Sequence, residues 1–275
     1  MIDPGLDGRV ALVTGANHGI GAATARALAA QGVTVFLTYL RLDLAAHAGE
    51  AAAYPAEYGH LRAGTAEHLV EQIRGAGGTA VCREADLADP AVPGLLFADA
   101  EAALGPVEIL VNNASSWLAN TFLPEEHDRF GRILGPVDAE RHDRQFAVDA
   151  RASALLIAEF ARGHLRRGAT WGRIIGLTSG GPSGFPQEVS YGAAKAAEEN
   201  YTMSAAQELG PYGVTANMVY PPVTDTGWVT PAVEQAATAA SPLRHLAHPD
   251  DVAEVITLLA SHQARYITGQ VIRMA

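Results

Sequence analysis

The hydrophobic pattern of the chain switches repeatedly between short apolar runs, which predict buried strands, and longer amphipathic stretches, which predict helices. The predicted strands are Arg9–Thr14, Val33–Tyr39, Thr79–Arg83, Glu108–Val111, Arg173–Thr178, Val214–Val219 and Gln270–Arg273. The predicted helices include Ile20–Ala30, Ala66–Gly75, Val137–Leu165, Tyr191–Leu209 and Pro249–Leu259. This order predicts an α/β fold with a doubly wound parallel sheet of about seven strands.

Two segments are longer than the usual connections within a compact domain. Residues 41–64 follow the second predicted strand, and residues 116–136 follow the fourth. Both come after the carboxyl end of a strand, the side on which open α/β sheets bind ligands. We therefore predict lids or specificity elements, with tolerated surface insertions as the alternative. No repeat or linker divides the chain, so residues 1–275 are predicted to form a single domain.

Composition excludes several classes of function. The 275-residue chain is 48% hydrophobic and carries a net charge of −11, which argues against nonspecific binding to nucleic acid or to anionic membranes. Its apolar runs are too short and too interrupted for a transmembrane helix, and no charged-then-apolar leader opens it. Cys82 is the only cysteine. These observations predict a cytoplasmic protein without disulfides.

Tyr191 and Lys195 are the first candidates for chemistry. Lys195 is the only lysine of the chain, whereas 18 arginines occupy the other basic positions. Positions i and i+4 lie on one face of a helix, so the phenol and the ammonium should meet there. The cation is expected to lower the pKa of Tyr191, which would let the phenol exchange a proton with a carbonyl or alcohol oxygen. A surface lysine beside a tyrosine is the alternative.

The first predicted strand ends in a glycine-rich turn, which a predicted helix follows. The turn reads Thr14-Gly15-Ala16-Asn17-His18-Gly19-Ile20-Gly21. Glycines allow a tight turn and a close approach of the backbone to a pyrophosphate, and the helix N-terminus adds free N–H groups and a positive dipole end. The strand before the turn and the helix after it strengthen the prediction of a dinucleotide site.

With these two motifs, the chain resembles the short-chain dehydrogenase/reductase family in its compact single-domain branch. Further matches run in the family's order along essentially the whole chain: Asp86-Leu87, Asn112-Asn113-Ala114, Ser179, Val219 through Thr226, and the tail from Pro242 to Gln270. The 3-oxoacyl-thioester reductases are the closest in pattern. Sugar and polyol dehydrogenases are the alternatives within the class.

The resemblance implies a Rossmann-type fold and hydride transfer between NAD(P)(H) and a ketone or secondary alcohol. Ser179 and Tyr191 would hold the carbonyl, Tyr191 would act as general acid and base, and Lys195 would hold the ribose hydroxyls. The implied cofactor residues are Gly15, Asn17, His18, Gly19, Ile20, Gly21, Tyr39, Arg41, Asp86, Leu87, Asn113, Ala114, Tyr191, Lys195, Pro221, Thr224 and Thr226. The family also implies a homotetramer, with the helices Val137–Leu165 and Tyr191–Leu209 packing across an interface.

Asp149 and Pro222 are among the positions that depart from the family pattern. Asp149 stands where the family usually has an asparagine of a proton relay. An ionised carboxylate only accepts hydrogen bonds, and it could pair with Lys195, but we expect the relay function to survive. Pro222 replaces a glycine and lacks a backbone N–H. Both departures leave open an alternative, a dinucleotide-binding regulator or scaffold with impaired catalysis.

The end of the second strand should decide between the nicotinamide cofactors. An acidic residue there binds the ribose hydroxyls of NAD and repels a 2′-phosphate. Tyr39 occupies the position, Arg41 follows, and His18 lies where NADP-using relatives often carry a basic residue. We therefore favour NADP(H), with NAD(H) as the alternative because Asp43 is close in sequence.

The substrate is expected to be a small-molecule carbonyl or alcohol. Its candidate pocket residues are Ser115, Trp117, Phe185 and Trp228, and the aromatic walls favour an apolar or cyclic ketone or an acyl chain. Alternatively, the two tryptophans pack a lid against its own loop. No metal is expected, because the histidines show no paired ligand spacing, although His47, Glu50, Glu57 and His60 share one insertion.

Overall fold

The computed structural model describes residues 3–44, 55–180 and 183–275. The strands in these ranges are β1 (Val10–Thr14), β2 (Thr34–Tyr39), β3 (Ala80–Glu84), β4 (Ile109–Asn112), β5 (Asn120–Thr121), β6 (Gly135–Pro136), β7 (Gly172–Leu177), β8 (Val214–Tyr220) and β9 (Val271–Arg273). Seven of them form one parallel sheet in the order β3-β2-β1-β4-β7-β8-β9, and β5 pairs with β6. The predicted doubly wound α/β fold is confirmed.

The described helices differ more from the sequence prediction than the strands do. They are α1 (Gly19–Ala29), α2 (Ala56–Ala63), α3 (Glu67–Gly75), α4 (Val92–Leu104), α5 (Ala139–Phe146), α6 (Ser153–Arg166), α7 (Val189–Leu209), α8 (Pro231–Ala240) and α9 (Pro249–Ala260). The single helix predicted over Val137–Leu165 is instead α5 and α6, joined by a π-helical segment, Ala147–Ala152. The helices α2, α4 and α8 were not predicted.

Helices cover both faces of the sheet, because its central strands are apolar on both sides. Every residue of β1 and β4 is buried, as expected for the continuous apolar runs of a parallel sheet. One face packs against α1, α3 and α9 through a cluster that includes Leu28 and Ile256. The other face packs against α4, α6 and α7 through a cluster that includes Phe97 and Phe160.

The strand order reverses between β1 and β4, which opens a crevice at their carboxyl ends. Hydrogen bonds lock the two loops that leave these strands. The Thr14 hydroxyl accepts from the backbone N–H groups of Asn113 (2.9 Å) and Ala114 (3.0 Å). The side-chain amide of Asn113 donates to the carbonyls of Thr14 (2.8 Å) and Gly15 (3.0 Å). The crevice is therefore held open by the fold itself.

The described parts of both insertions lie at this edge of the sheet. Helix α2, from the first insertion, is tied to the glycine turn, because the Asn17 amide donates to the carbonyls of Leu61, Arg62 and Gly64. The second insertion is tied to the start of α7, where the Asn120 side chain accepts from the Ser190 N–H (2.9 Å) and donates to its hydroxyl (2.7 Å). None of the helices in the described ranges combines the length and apolar character that a bilayer crossing requires.

Candidate active site

A cleft of about 600 Å³ occupies the crevice. The predicted cofactor residues that line it are Gly15, Asn17, His18, Gly19, Ile20, Tyr39, Arg41, Asp86, Leu87, Asn113, Ala114 and Thr226. Ser115 and Trp117, predicted to contact the substrate, line it as well. Gly21, Tyr191, Lys195, Pro221 and Thr224 lie outside this lining. The structure thus brings most of the predicted cofactor residues, which are scattered along the sequence, to one site.

The glycine turn leaves its backbone open to a ligand. Gly15 and Gly19 have positive φ angles of 65° and 57°, a conformation that favours glycine. A Cβ atom at Gly21 would lie only 2.3 Å from the Gly15 carbonyl oxygen. No side chain caps the N-terminus of α1. Its free N–H groups and dipole can therefore receive the phosphates of a dinucleotide.

The cations of the cleft are arranged differently from the prediction. Burial and the nearby Arg62 guanidinium lower the pKa of His18 to about 4, so His18, at the place where NADP-using relatives often carry a basic residue, is neutral at pH 7. The Nε atom of Arg41 donates to both carboxylate oxygens of Glu84, at 3.0 and 2.9 Å. Arg62, which was not predicted, lines the cleft from α2, with its guanidinium 5.6 Å from the Tyr58 ring.

Tyr191 and Lys195 lie one turn apart near the start of α7, on one face as predicted. The Tyr191 hydroxyl is hydrogen-bonded to the hydroxyl of Ser179, which follows β7, and the Lys195 Nζ atom lies 5.9 Å from the Tyr191 ring centroid. Burial nevertheless raises the pKa of Tyr191, against the prediction, because it outweighs the lowering by Lys195. The negative charges of Asp149 and Glu188 raise this pKa further.

Lys195 is held by two buried carboxylates. Its Nζ atom lies 3.2 Å from Asp149 Oδ1 and 2.8 Å from Glu198 Oε2. The other oxygen of Asp149 accepts from the Ser116 N–H (3.0 Å) and the Gln145 side-chain amide (2.6 Å). The structure thus contains the pairing of Asp149 with Lys195 that the sequence suggested. Sequence reasoning missed Glu198 and Gln145. The π-helical segment that carries Asp149 is a feature frequent at functional sites.

The four residues that were predicted to contact the substrate do not form a single cluster of mutual contacts. The Phe185 ring lies 6.0 Å from that of Tyr191, and Phe185 leaves no space for a Cβ atom at Gly192. Ser115 lines the cleft and accepts from the Trp117 N–H at 3.2 Å. Gly181 and Pro182, in the same loop as Phe185, lie outside the described residues.

Trp117 and Trp228 both contact Arg132, a residue of the second insertion that was not predicted. The guanidinium of Arg132 lies 5.1 Å from one ring and 5.8 Å from the other. It also donates to Asp128 and Glu188, at 2.5 and 2.8 Å, and the Trp117 indole donates to Glu188 as well. These contacts favour the alternative in which the tryptophans pack a lid, although Trp117 also lines the cleft.

The segment after β8 closes the cleft from the far side. The buried Thr224 donates its hydroxyl to the Pro222 carbonyl (2.9 Å), and Pro221 directly follows the strand. The Thr226 hydroxyl is hydrogen-bonded to Tyr58 of α2. Of the histidines and acids weighed for a metal, Glu57 and His60 lie on α2. His47 and Glu50 lie outside the described residues.

Comparison with known proteins gives the family. A family model described as enoyl-(acyl carrier protein) reductase matches residues 15–274. A Bacillus subtilis oxidoreductase, YjdA, is 32% identical over 96% of this chain and 94% of its own length. A short-chain type dehydrogenase/reductase of Picea abies is 33% identical over 98% of this chain and 92% of its own. The chain therefore belongs to the short-chain dehydrogenase/reductase family and is an oxidoreductase.

Solved structures agree with this assignment. A crystal structure of the angucycline C-6 ketoreductase LanV with bound NADP superimposes with a TM-score of 0.77 at 31% identity. The match covers 98% of this chain and 94% of the LanV chain. The sheet and its flanking helices are thus shared with LanV over nearly the whole length of both chains.

Proposed function

We propose that this oxidoreductase is an NADP(H)-preferring carbonyl reductase, which transfers hydride between nicotinamide and a ketone or secondary alcohol. The observation that carries the proposal is the contact of Ser179 with Tyr191 and the position of Lys195 beside the Tyr191 ring. These groups lie at the carboxyl edge of the sheet that also forms the dinucleotide cleft. A positioned phenol is thereby combined with a cradle for a nicotinamide cofactor.

In the reduction direction, the hydroxyls of Ser179 and Tyr191 donate to the substrate carbonyl oxygen. Tyr191 then gives its proton to that oxygen, and the Lys195 ammonium stabilises the remaining phenolate. When bound, the nicotinamide cofactor supplies the hydride. Because the pKa of Tyr191 is raised, its hydroxyl is protonated at neutral pH, the form that carbonyl reduction requires. Asp149 positions Lys195 through their ion pair.

The cleft supports NADP(H) over NAD(H). Tyr39 at the end of β2 brings no carboxylate to the ribose hydroxyls, and Arg41 and Arg62 supply positive charge for a 2′-phosphate. Arg41 would have to exchange Glu84 for the phosphate, whereas Arg62 has no ion pair within the described ranges. The NADP bound to LanV supports the same preference.

For the substrate, we propose a cyclic or aromatic ketone. Phe185 faces the Tyr191 ring, and Trp117 lines the cleft, so aromatic surface borders the phenol that would donate the proton. The name of LanV, a ketoreductase for angucyclines, supports this class. The aromatic surface gives less support to the sugar and polyol alternative, since a polyol needs polar partners for several hydroxyls.

Three further properties belong to the same proposal. We propose that residues 1–275 form one domain, since a single seven-stranded sheet organises the described ranges. We propose a homotetramer, as the family resemblance implies. A cytoplasmic location also stays a prediction, with which the free thiol of the half-buried Cys82 is compatible.

Tyr191→Phe tests the proposed reaction directly. We expect the native protein to consume NADPH faster than NADH on cyclic or aromatic ketones, in a panel that also contains 3-oxoacyl thioesters and sugars. Loss of the positioned acid should reduce kcat about 10²- to 10⁴-fold. Tyr212→Phe, at an exposed tyrosine, should leave the rate unchanged. Saturable NADPH binding without turnover on any carbonyl would instead favour the dinucleotide-binding regulator or scaffold.

A further inference from the structure

Lys195, the single lysine of this chain, contacts two carboxylates, whereas an ion pair needs only one. Lys195, Asp149 and Glu198 are 2%, 0% and 1% exposed, so all three are removed from solvent. Both carboxylates contact the same ammonium nitrogen. With all three groups ionised, the cluster would carry a net charge of −1 in the protein interior, which is costly.

Little in the surroundings offsets this negative charge. Glu198 receives a hydrogen bond from the Ser153 hydroxyl on α6, and its other face lies against Gly176 of β7. Asp149 receives only neutral donors besides Lys195, namely a backbone N–H and the Gln145 amide. Within the described ranges, no second cation pairs with either carboxylate, and the phenol of Tyr191 is the remaining titratable group beside them.

Two carboxylates that share one cation cannot both stay ionised at little cost, so one of them takes up a proton readily. Burial raises the pKa of Glu198 to about 7, against the opposing effect of Lys195, and the charge of Asp149 raises it further. Around neutral pH, the cluster therefore changes between a net charge of −1 and a net charge of zero. This change takes place next to Tyr191.

We propose that Glu198 is a positioning residue of the active site, which holds Lys195 against Asp149 and, by gaining or losing its proton, changes how strongly Lys195 stabilises the Tyr191 phenolate. The proposal rests on the proposed function, in which Tyr191 transfers the proton. Ionised Glu198 cancels part of the positive field of Lys195 and opposes the phenolate. Protonated Glu198 leaves Lys195 balanced by Asp149 alone.

The kinetic test uses Glu198→Gln, which keeps the shape, and Glu198→Leu, which removes the polar group. Both are compared with Glu208→Gln, at an exposed acid of the same helix. Alcohol oxidation needs the phenolate, so its kcat should show an inflection near pH 7 in the native enzyme and in Glu208→Gln. Both Glu198 variants should lose this inflection, and their kcat at about pH 8 should rise roughly 3- to 10-fold with unchanged KM. An inflection that persists in both variants would overturn the proposal.

Urea unfolding of the cofactor-free protein tests the same cluster without any turnover. The folded state binds the Glu198 proton more tightly than the unfolded state, so this group's contribution to stability is full below about pH 4.5 and is lost as pH rises through about 7. Relative to native protein, the Glu198 variants should therefore gain in urea midpoint on going from about pH 5 to about pH 8. Glu208→Gln should not. An identical pH dependence in native protein and variants would overturn the proposal, whether or not the enzyme turns over. If the Glu198 variants lose the pH dependence of the urea midpoint but the native protein shows no turnover, the proposed function is rejected and the titration of the cluster is not.

Discussion

The proposed recognition of a cofactor phosphate depends on single cations in the cleft. His18 is neutral because it is buried near Arg62, and Arg41 is engaged by Glu84. Arg62 is carried by α2, which Asn17 ties to the glycine turn. A guanidinium without a carboxylate partner can bind a phosphate without first breaking an ion pair. If the cofactor is NADP(H), as proposed, we expect Arg62, which has no ion pair within the described ranges, to bind the 2′-phosphate.

Arg62→Ala is expected to change cofactor selectivity more than Arg41→Ala does. A hydrogen bond to a charged group contributes about 1.5–3 kcal/mol, so the KM for NADPH should rise about 10- to 100-fold in Arg62→Ala. The KM for NADH, which lacks the 2′-phosphate, should change little. Steady-state kinetics with both cofactors measures the ratio, and Arg166→Ala, at an exposed arginine, is the control. A larger loss in Arg41→Ala would assign the phosphate to Arg41, and equal losses with both cofactors would place Arg62 at the pyrophosphate.

At the same scale, the sequence predicted the residues of local motifs and missed those that tertiary packing brings in. Tyr191 and Lys195 are predictable because a helix sets their spacing. Glu198, three positions after Lys195, has the spacing of an ordinary surface pair on a helix, and only the packing of α7 against the sheet buries it. The low pKa of His18 was not predictable from the sequence for the same reason, since burial causes it.

Among the elements, α2 forms a roof over the glycine turn. Its Tyr58 reaches the Thr226 hydroxyl, while its ring lies 5.8 Å from that of His18. Leu61 of the same helix lies against Gly227. The first insertion therefore joins the phosphate side of the cleft to the segment after β8, and a cofactor in the cleft would lie beneath this connection.

Tyr58→Phe removes the hydrogen bond between the roof and Thr226 but keeps the ring. One neutral hydrogen bond contributes about 0.5–1.5 kcal/mol, so the Kd for NADPH should rise about 2- to 10-fold, mainly through faster release. Fluorescence titration and stopped-flow displacement of NADPH measure the two quantities. Tyr266→Phe, at a tyrosine that is 98% exposed, should match the native protein. An unchanged release rate in Tyr58→Phe would exclude α2 from cofactor retention.

Two of the helices that were not predicted, α2 and α4, lack the usual sequence signals of a helix, each for its own reason. Helix α2 buries no residue, so no apolar stripe marks it. Helix α4 carries Pro93 and Gly94 in its first turn, and both residue types usually interrupt helices, although proline is tolerated in the first turn. In contrast, the central strands β1 and β4 are runs of buried, mostly apolar residues, and all seven strands of the large sheet were predicted.

For the whole molecule, the exposed side of α7 is the surface across which the proposed homotetramer would assemble. The exposed residues of α7 include Ala193, Ala196, Asn200 and Ser204, which are uncharged and mostly small, with Tyr201, Gln207 and Glu208 exposed toward its C-terminal end. Such a face is unusual in a chain with a net charge of −11, whose surface acids would otherwise oppose association. Small residues let two helices approach closely, as the proposed interface between protomers requires.

Ser204→Arg should break the proposed homotetramer and leave the protomer folded. Arginine has at least the helix propensity of serine, so an isolated α7 would tolerate it, but two like charges facing each other across a symmetric interface would repel. Light scattering should give four times the protomer mass of 28.7 kDa for native protein and a smaller species for the variant, with unchanged circular dichroism. Ala232→Arg, at an exposed position of α8, should remain tetrameric. A native protein with the light-scattering mass of a monomer would contradict the proposed homotetramer. A variant that stays tetrameric would show that the interface does not include this face of α7.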